Sequence, residues 1–473
     1  MRIFSAVLPL FFSVVTALPV PAADFLQPLA PAPFPSSDQQ QPAQGEGGDQ
    51  REESSPAPPV TFDLHTALEW TLTRNPNLVA QRQDVRVSAE AWAVAQRFPV
   101  SLNPTVSLDL RPWVYEPAQS GGANPLQTLV NVTWSQPIEL GHRTALRASI
   151  AQATYNQTRF VVLQAELTAL VQTYRLHQTA LYRRDKRKVA GDLVEFNQRL
   201  VETLGRQVEA TRAAPADLVL AQVESHSTRQ QLEIAAHEYV AALSDLRSHL
   251  GIPEYAASAA PNDGMTLPAA TALEDDESLI RMAVSNRPEI LAAHAAAASA
   301  REAVALARAE RMPIPSVGPA YEKDESGVSF YGFTATMPVP VLNAGGPLLR
   351  QREAEYHRNC IALAQLRQRT AAQVQATLVK WHDAQDLVRR TQTLVESVRS
   401  QTTRMERLYA AGETDIIKLL QVRQRLLETD NGQLDALWAA TQGYADLLEA
   451  VGAVSLLGGL TENVEVISEP KRP

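Results

Sequence analysis

From Thr144 to Glu209 the chain reads as one helix, and at 1.5 Å per residue such a helix is ~100 Å long. No ordinary globular core has that depth, so the segment calls for a coiled coil or an extended tube. Leu146, Ile150, Ala153, Gln157, Phe160, Gln164, Leu167, Val171, Tyr174, Gln178 and Leu181 recur in steps of three and four, the seam of helices packed side by side. A second seam follows through Leu218, Ala221, Ser225, Thr228, Leu232, Ala235, Tyr239, Ala242 and Leu246. The Ala, Ser, Gln and Thr mixed into both suit packing over a wet interior better than a dry leucine zipper.

The chain then repeats itself. Adding 201 to the second seam gives Leu419, Val422, Leu426, Thr429, Gln433, Ala436, Ala440, Gly443 and Leu447, in phase. Pro137 and Pro338, Asp245 and Asp446, and Gly251 and Gly452 keep the same offset, whereas Asn75-Pro76 and Arg287-Pro288 stand 212 apart. The length difference falls between the first proline pair and the second. Loops absorb such changes and packed helices do not, so a longer hairpin loop is expected near Arg111 to Pro125 than near Lys323 to Gly327.

The strand-like runs lie in that interval. Val106, Leu108 and Leu110 interleave with Ser107 and Asp109, and Val130, Val132 and Trp134 with Asn131, Thr133 and Ser135. Tyr331, Phe333 and Ala335 alternate with Gly332, Thr334 and Thr336 in the second copy. One apolar and one polar face suit a membrane β-barrel, which alone among sheets satisfies every backbone hydrogen bond in lipid; a half-buried soluble hairpin gives the same alternation. Trp113, Tyr115, Trp134, Tyr321 and Tyr331 near strand ends fit interfacial girdles.

Residues 1–23 read as a secretory signal peptide: Met1-Arg2, an apolar run from Ile3 to Leu18, and small residues at Ala22-Ala23. No other segment is expected to supply a membrane-spanning helix. Residues 24–60 are Pro-, Gln-, Gly-, Ser- and Glu-rich, too polar to offset their ordering entropy, and read as an extended tether. Order is expected to begin near Phe62-Asp63, with Asp63 capping a helix that faces inward through Ala67, Leu68 and Leu72. The copies then span 61–255 and 273–453, joined by a linker at 256–272 and followed by a tail at 454–473.

Composition removes several functions. One cysteine, Cys360, rules out a disulfide framework and a thiolate cluster, and leaves no lipid-anchor cysteine behind the signal peptide. A net charge of -9, with Lys and Arg spread along helices, does not fit nucleic acid. No nucleophile elbow, phosphate loop or paired metal-ligand motif occurs, so neither catalysis nor a cofactor is expected. His382-Asp383 occupy adjacent helix positions that do not face each other, and Arg183-Arg184-Asp185-Lys186-Arg187-Lys188 reads as a solvated face.

Three motifs taken in order, Ala67 through Asn75-Pro76, Gln136-Pro137-Ile138-Glu139-Leu140-Gly141-His142-Arg143, and Ala214-Pro215-Ala216-Asp217-Leu218-Val219-Leu220-Ala221-Gln222, resemble those of TolC-like outer-membrane efflux proteins. The Pro-Ile-Glu-Leu-Gly run looks most like the cobalt-zinc-cadmium (CzcC-like) branch, partners of heavy-metal pumps. The resemblance covers Phe62 to Gly452. It implies a mainly α fold with a small β part: an α-helical barrel of long coiled-coil helices and a twelve-stranded transmembrane β-barrel shared by a homotrimer in outer-membrane lipid. It also implies a passive duct joined through a periplasmic adaptor to an inner-membrane RND-type pump.

By position, the resemblance assigns adaptor-docking tips to Ala210, Thr211 and Arg212 and to Ala411, Gly412 and Glu413. Gly412 matches the family's tip glycine and Thr211 departs from it. Pro137 and Pro338 fall at strand-to-helix transitions, where a missing amide donor is tolerated. The family's acidic gate corresponds to Lys418 and Gln421, so an identical gate is not implied; Asp217 and Asp415 are the acidic alternatives, and N-caps equally. A drug or type I secretion duct of the same fold remains open, as does a periplasmic coiled-coil adaptor, although an adaptor carries one helical hairpin rather than two.

Overall fold

The computed structural model describes residues 61–111, 128–211, 214–252, 259–265, 267, 275–324, 328–411, 413–414 and 416–452. The expected signal peptide, tether and tail lie outside them, as do Trp113, Tyr115 and both proposed hairpin loops apart from their ends. Described elements run β1 (Thr61–Phe62), α1 (Leu64–Arg74), α2 (Pro76–Gln96), β2 (Thr105–Arg111), β3 (Leu129–Pro137), α3 (Arg143–Glu209) and α4 (Pro215–Leu250). They continue with β4 (Ala260–Pro261), α5 (Asp276–Asn286), α6 (Pro288–Ala309), β5 (Ser316–Lys323), β6 (Ser329–Thr336), α7 (Gly346–Ala410) and α8 (Ile416–Val451).

Helix ends follow from their residues. The Asp63 carboxylate accepts the Thr66 amide at 2.9 Å and its hydroxyl at 2.6 Å, capping α1. Asn75 then ends α1 and starts α2: its side-chain oxygen accepts from Asn77 and Leu78, Pro76 holds N1, and its amide donates to the His249 carbonyl at 2.8 Å. The corresponding Arg287 donates to the Ala450 carbonyl. Each motif thus serves the last turn of a different long helix, α4 or α8. Both of these close on a left-handed glycine, Gly251 (φ 69°) and Gly452 (φ 71°). Side chains are doubly excluded there, because a Cβ on Gly251 meets the Arg74 carbonyl and one on Gly452 meets Arg287.

Helices α3 and α7, of 67 and 65 residues, are the spines. Towards the sheet, neighbours run α2, α3, α6, α7; away from it, α4, α3, α8, α7. The seams point inward: Ala221, Ser225, Thr228, Tyr239, Ala242 and Leu246 of α4 are buried, as are Leu419, Ala436, Ala440, Gly443 and Leu447 of α8. The offset of 201 holds at the far ends of α3 and α7 (Glu209, Ala410) and through α4 and α8, but not where the spines begin. There Arg143 and Gly346 differ by two more positions, because the second strand-to-helix connector is longer.

The main core lies midway along the spines, where Leu167, Val171 and Tyr174 of α3 meet Leu279 of α5, Val374, Leu378 and Trp381 of α7, and Tyr444, Leu447 and Leu448 of α8. Beside it β1 pairs in parallel with β4, so the expected 256–272 linker contributes a strand to the body. Asp276–Ala309 is apolar and long enough to cross a bilayer by length and composition alone. That character comes from alanine, which lets α6 lie close against α3 and α7. Arg287 and Pro288 also break the stretch in two.

His177 of α3 sits at the β1–β4 clasp with 0% exposure, its ring 6.3 Å from Phe62 and its Nε2 3.7 Å from the Asp263 carboxylate. Burial pushes the imidazole down to about 4, against the pull of Asp263 and Asp63. An unfolded chain binds this proton near pH 6.5 and the folded chain only near 4, so stability falls as pH drops through that window. The penalty is complete below pH 4 and reaches at most ~3 kcal/mol. Thermal unfolding followed from pH 7 to 4 is expected to show this loss in the parent protein and a flatter profile in His177→Gln; equal slopes would contradict it.

Candidate functional site

Four regions bear on function: the far tips of the helical hairpins, the α3–α8 seam, the strand-to-helix junction and the sheet. At the first tip α3 ends at Ala210, whose amide donates to the Arg206 carbonyl, and Thr211 turns the chain with φ 56°. That is the left-handed region, which a β-branched residue enters only under strain. Thr211 thus holds the conformation that glycine takes freely. Pro215 is N1 of α4 and Ala214 its N-cap, so Asp217 is a first-turn residue near the helix dipole and not the cap.

At the second tip the amide of Ala411 donates to Arg407 and that of Glu413 to Leu408, a six-to-one bond that closes the last turn. Arg212, Gly412 and Asp415 lie outside the described residues. Lys418 and Gln421 are exposed on the first turns of α8, on the side away from buried Ile416 and Leu419. Ala210, Thr211, Ala411 and Glu413 are exposed too, so both tips present short side chains beside one carboxylate. Below them Leu200 and Leu204 of α3, Ala221 of α4 and Ile416 of α8 form a small core that fastens the hairpins together.

The α3–α8 seam is polar. Arg175 pairs with Asp446 at 2.7 Å and Glu449 at 2.8 Å, the Trp438 indole donates to Thr179, and Asp435 accepts from both Tyr182 and Lys186. Burial opposes both charges of the last pair, yet their contact keeps the Asp435 carboxyl below its usual range and the Lys186 ammonium above. This corrects the solvated reading of the 183–188 run. Arg183 reaches Glu238 of α4, Arg184 the Pro261 carbonyl of β4, Lys186 Asp435 of α8, and Arg187 the Tyr239 ring at 4.7 Å. One turn-and-a-half of α3 therefore pins three other elements, which a helix can do because successive side chains point around its axis.

Lower on the same seam Arg423 pairs with Glu406, covers the Phe196 ring at 4.2 Å, and lines a cleft of about 320 Å³ with Asp192, Arg399 and Asp430. Burial raises the Asp430 carboxyl despite its ion pair with Arg399. None of these partners was legible in sequence, because each pair joins residues far apart in the chain. His382 faces Asp276 at 3.5 Å rather than its neighbour Asp383. Among the described residues no cluster of three His, Cys, Asp or Glu could hold a metal ion.

Pro137 is the last residue of β3, and Pro338 lies two positions past the end of β6. The run between Pro137 and Arg143 is a built connector. The Glu139 carboxylate takes the Thr144 hydroxyl at 2.6 Å and Arg147 at 2.7 Å; the chain then passes through left-handed Gly141 and His142. Arg143, 5% exposed, turns back to the Ala309 and Met312 carbonyls that end α6. The side chains of Pro-Ile-Glu-Leu-Gly-His-Arg thus shape a strand-to-helix junction.

The sheet has the antiparallel order β2-β3-β5-β6. Register places Val106 opposite Trp134, Leu108 opposite Val132 and Leu110 opposite Val130, and continues through Val132–Tyr321, Tyr321–Tyr331 and Pro319–Phe333. That face is mainly apolar, with Gln136, Lys323 and Ser329 as polar members. The other carries Thr105, Ser107, Asp109, Asn131, Thr133, Ser135, Thr334 and Thr336, with Phe330 as an exception. Trp134 stands near one end of the apolar face, and Tyr321 and Tyr331, with ring centroids 5.2 Å apart, near the other. Among the described residues, strands β2 and β6 are the two edges of the sheet.

Residues 279–453 match a family profile described as "Outer membrane efflux protein". No curated protein matches the chain by sequence. Among solved structures, CusC is 16% identical with a TM-score of 0.67, over 84% of this chain and 93% of that one. The CmeC outer membrane channel of Campylobacter jejuni is 13% identical with a TM-score of 0.67, over 87% and 93%. The open state of the MtrE outer membrane channel of Neisseria gonorrhoeae is 16% identical with a TM-score of 0.64, over 82% and 89%. The chain has the fold of these channels, and none of these matches is to an enzyme.

Thr211 supplies a test of tip geometry. Thr211→Gly removes left-handed strain of ~1–2 kcal/mol and returns part of it as unfolded-state entropy, for a net gain of about 0.5–1 kcal/mol. Thr211→Ala keeps most of the strain and gains less. A higher melting temperature for the glycine variant than for the alanine variant is expected; the reverse order would place Thr211 outside the left-handed region.

Proposed function

We propose that this chain is the outer-membrane subunit of a tripartite efflux system, a passive homotrimeric duct through the outer membrane and periplasm. The observation that carries this reading is that sheet and helices end on the same two sides. Strand β2 and helices α2 and α4 form one lateral edge, and strand β6 and helix α7 form the other. Exposed apolar residues gather on these edge helices: Val87 and Val94 on α2, Val219, Val223 and Ile234 on α4, Leu387 and Leu394 on α7. Two unlike edges on one chain make a head-to-tail contact, which closes into a ring. Three copies with four strands each make twelve, and a closed barrel with its apolar face outward satisfies every strand in lipid.

In this reading the two structural repeats of each chain give the trimer six near-equivalent hairpins. The Ala210-Thr211-Arg212 and Ala411-Gly412-Glu413 tips receive a periplasmic adaptor, which links the duct to an inner-membrane RND-type pump. Asp217, Asp415, Lys418 and Gln421 surround the tunnel mouth as gate candidates, of mixed rather than uniformly acidic charge. Pro137 and Pro338 mark where barrel becomes tunnel. The duct needs no tight ligand site, since strong binding would oppose release.

Heavy-metal cations are the cargo class we propose, on the resemblance of Pro137 through Gly141 to the cobalt-zinc-cadmium branch. Purified protein in a planar bilayer is expected to give stepwise currents. Deletion of the gene is expected to sensitise cells to cobalt, zinc or cadmium more than to hydrophobic drugs. Absence of conductance would contradict the duct, and the opposite sensitivity pattern would replace metals with drugs as cargo.

A further inference from the structure

The strand-to-helix junction holds a groove and, on the opposite lateral edge, an apolar segment that fills no groove among the described residues. The groove, about 830 Å³, runs beside the β3–α3 connector between Phe98, Ile138, Glu139, Leu140 and Ala148. Its apolar side chains are exposed. Glu139 is the exception: its side chain is only 7% exposed, Oε2 is occupied by Thr144 and Arg147, and Oε1 has no partner. The Glu139 contacts to Thr144 and Arg147 hold the floor of the groove in place.

The apolar segment is the connector between β6 and α7. Val339 and Val341 are largely exposed and Leu342 is 100% exposed. The segment is nevertheless anchored at its base: Arg311 of the α6–β5 turn donates to the Ala344 carbonyl at 3.1 Å, and the Asn343 side chain accepts the Gly345 amide at 2.9 Å. Val341 N–H closes a tight turn on the Val339 carbonyl, which projects the apolar tip outward. Groove and segment stand at one level, since Pro137 and Thr336 both pair with Ser316.

We propose that Val339–Leu342 of one copy seats in the Phe98–Ile138–Leu140 groove of the next. The inference rests on the ring reading above, which brings the β6–α7 edge of one copy against the β2–α2 edge of its neighbour. The seat locks the ring where barrel becomes tunnel. It gives the second connector's extra length a purpose, because the same segment at the length of the first connector has no apolar tip to deliver.

The test uses the full chain in native membranes with Cys360→Ser, Leu140→Cys and Leu342→Cys. Oxidation is expected to give two- and three-chain bands on a denaturing gel, and either cysteine alone no three-chain band. The same membranes treated with glutaraldehyde report assembly independently. Three-chain glutaraldehyde product without the disulfide bands overturns the seat and leaves the ring; neither product overturns both. Leu342→Asp without cysteines is expected to lower the dissociation temperature of the trimer and Leu342→Met to preserve it; no difference between the two would also overturn the seat.

Discussion

An unpaired strand edge cannot rest in hydrocarbon, and the proposed duct turns on that constraint. Each unsatisfied backbone group costs several kcal/mol in lipid, and among the described residues the four-stranded sheet leaves two rows of them along β2 and β6. A chain with an apolar sheet face and two open edges is incomplete alone. The helical layer is incomplete in the same sense and on the same sides, with exposed valines and leucines on α2, α4 and α7. One operation, placing the next copy against one edge, answers both deficits.

Within a copy, α3 organises the rest. It touches α2, α4, α6 and α8, carries core residues at its middle, and holds its neighbours through the 183–187 cations. The polar α3–α8 seam differs from the oily core above it in what it permits. Ion pairs such as Arg175 with Asp446 and Glu449 are part-exposed, contribute little net stability, and can exchange partners or water at low cost. A dry leucine seam would resist such sliding. The seam therefore joins the two hairpins by exchangeable polar contacts, while the small core of Leu200, Leu204, Ala221 and Ile416 fastens them near their tips.

Periodicity made much of the fold legible. The seam positions of α3, α4 and α8 read from three-and-four spacing are buried or half-buried, because a helix face that packs must repeat at that interval. Strand alternation gave the two faces correctly, and Asp63 caps the helix it was expected to cap. What sequence could not supply were relations between distant residues. The 183–188 run reads as solvated because its partners Glu238, Asp435 and Pro261 lie 55 or more positions away, and Asp217 reads as a cap although Pro215 and Ala214 take that end. Thr211 was noted for not being glycine; only the backbone revealed that it adopts glycine's conformation.

Hydrogen–deuterium exchange on the detergent-solubilised protein tests the closure of these edges most directly. Closure against neighbouring copies predicts that amides along β2 and β6 exchange as slowly as those of the inner strands β3 and β5. Fast exchange along β2 and β6 beside protected β3 and β5 would show the edges open, and would contradict the ring on which this account stands.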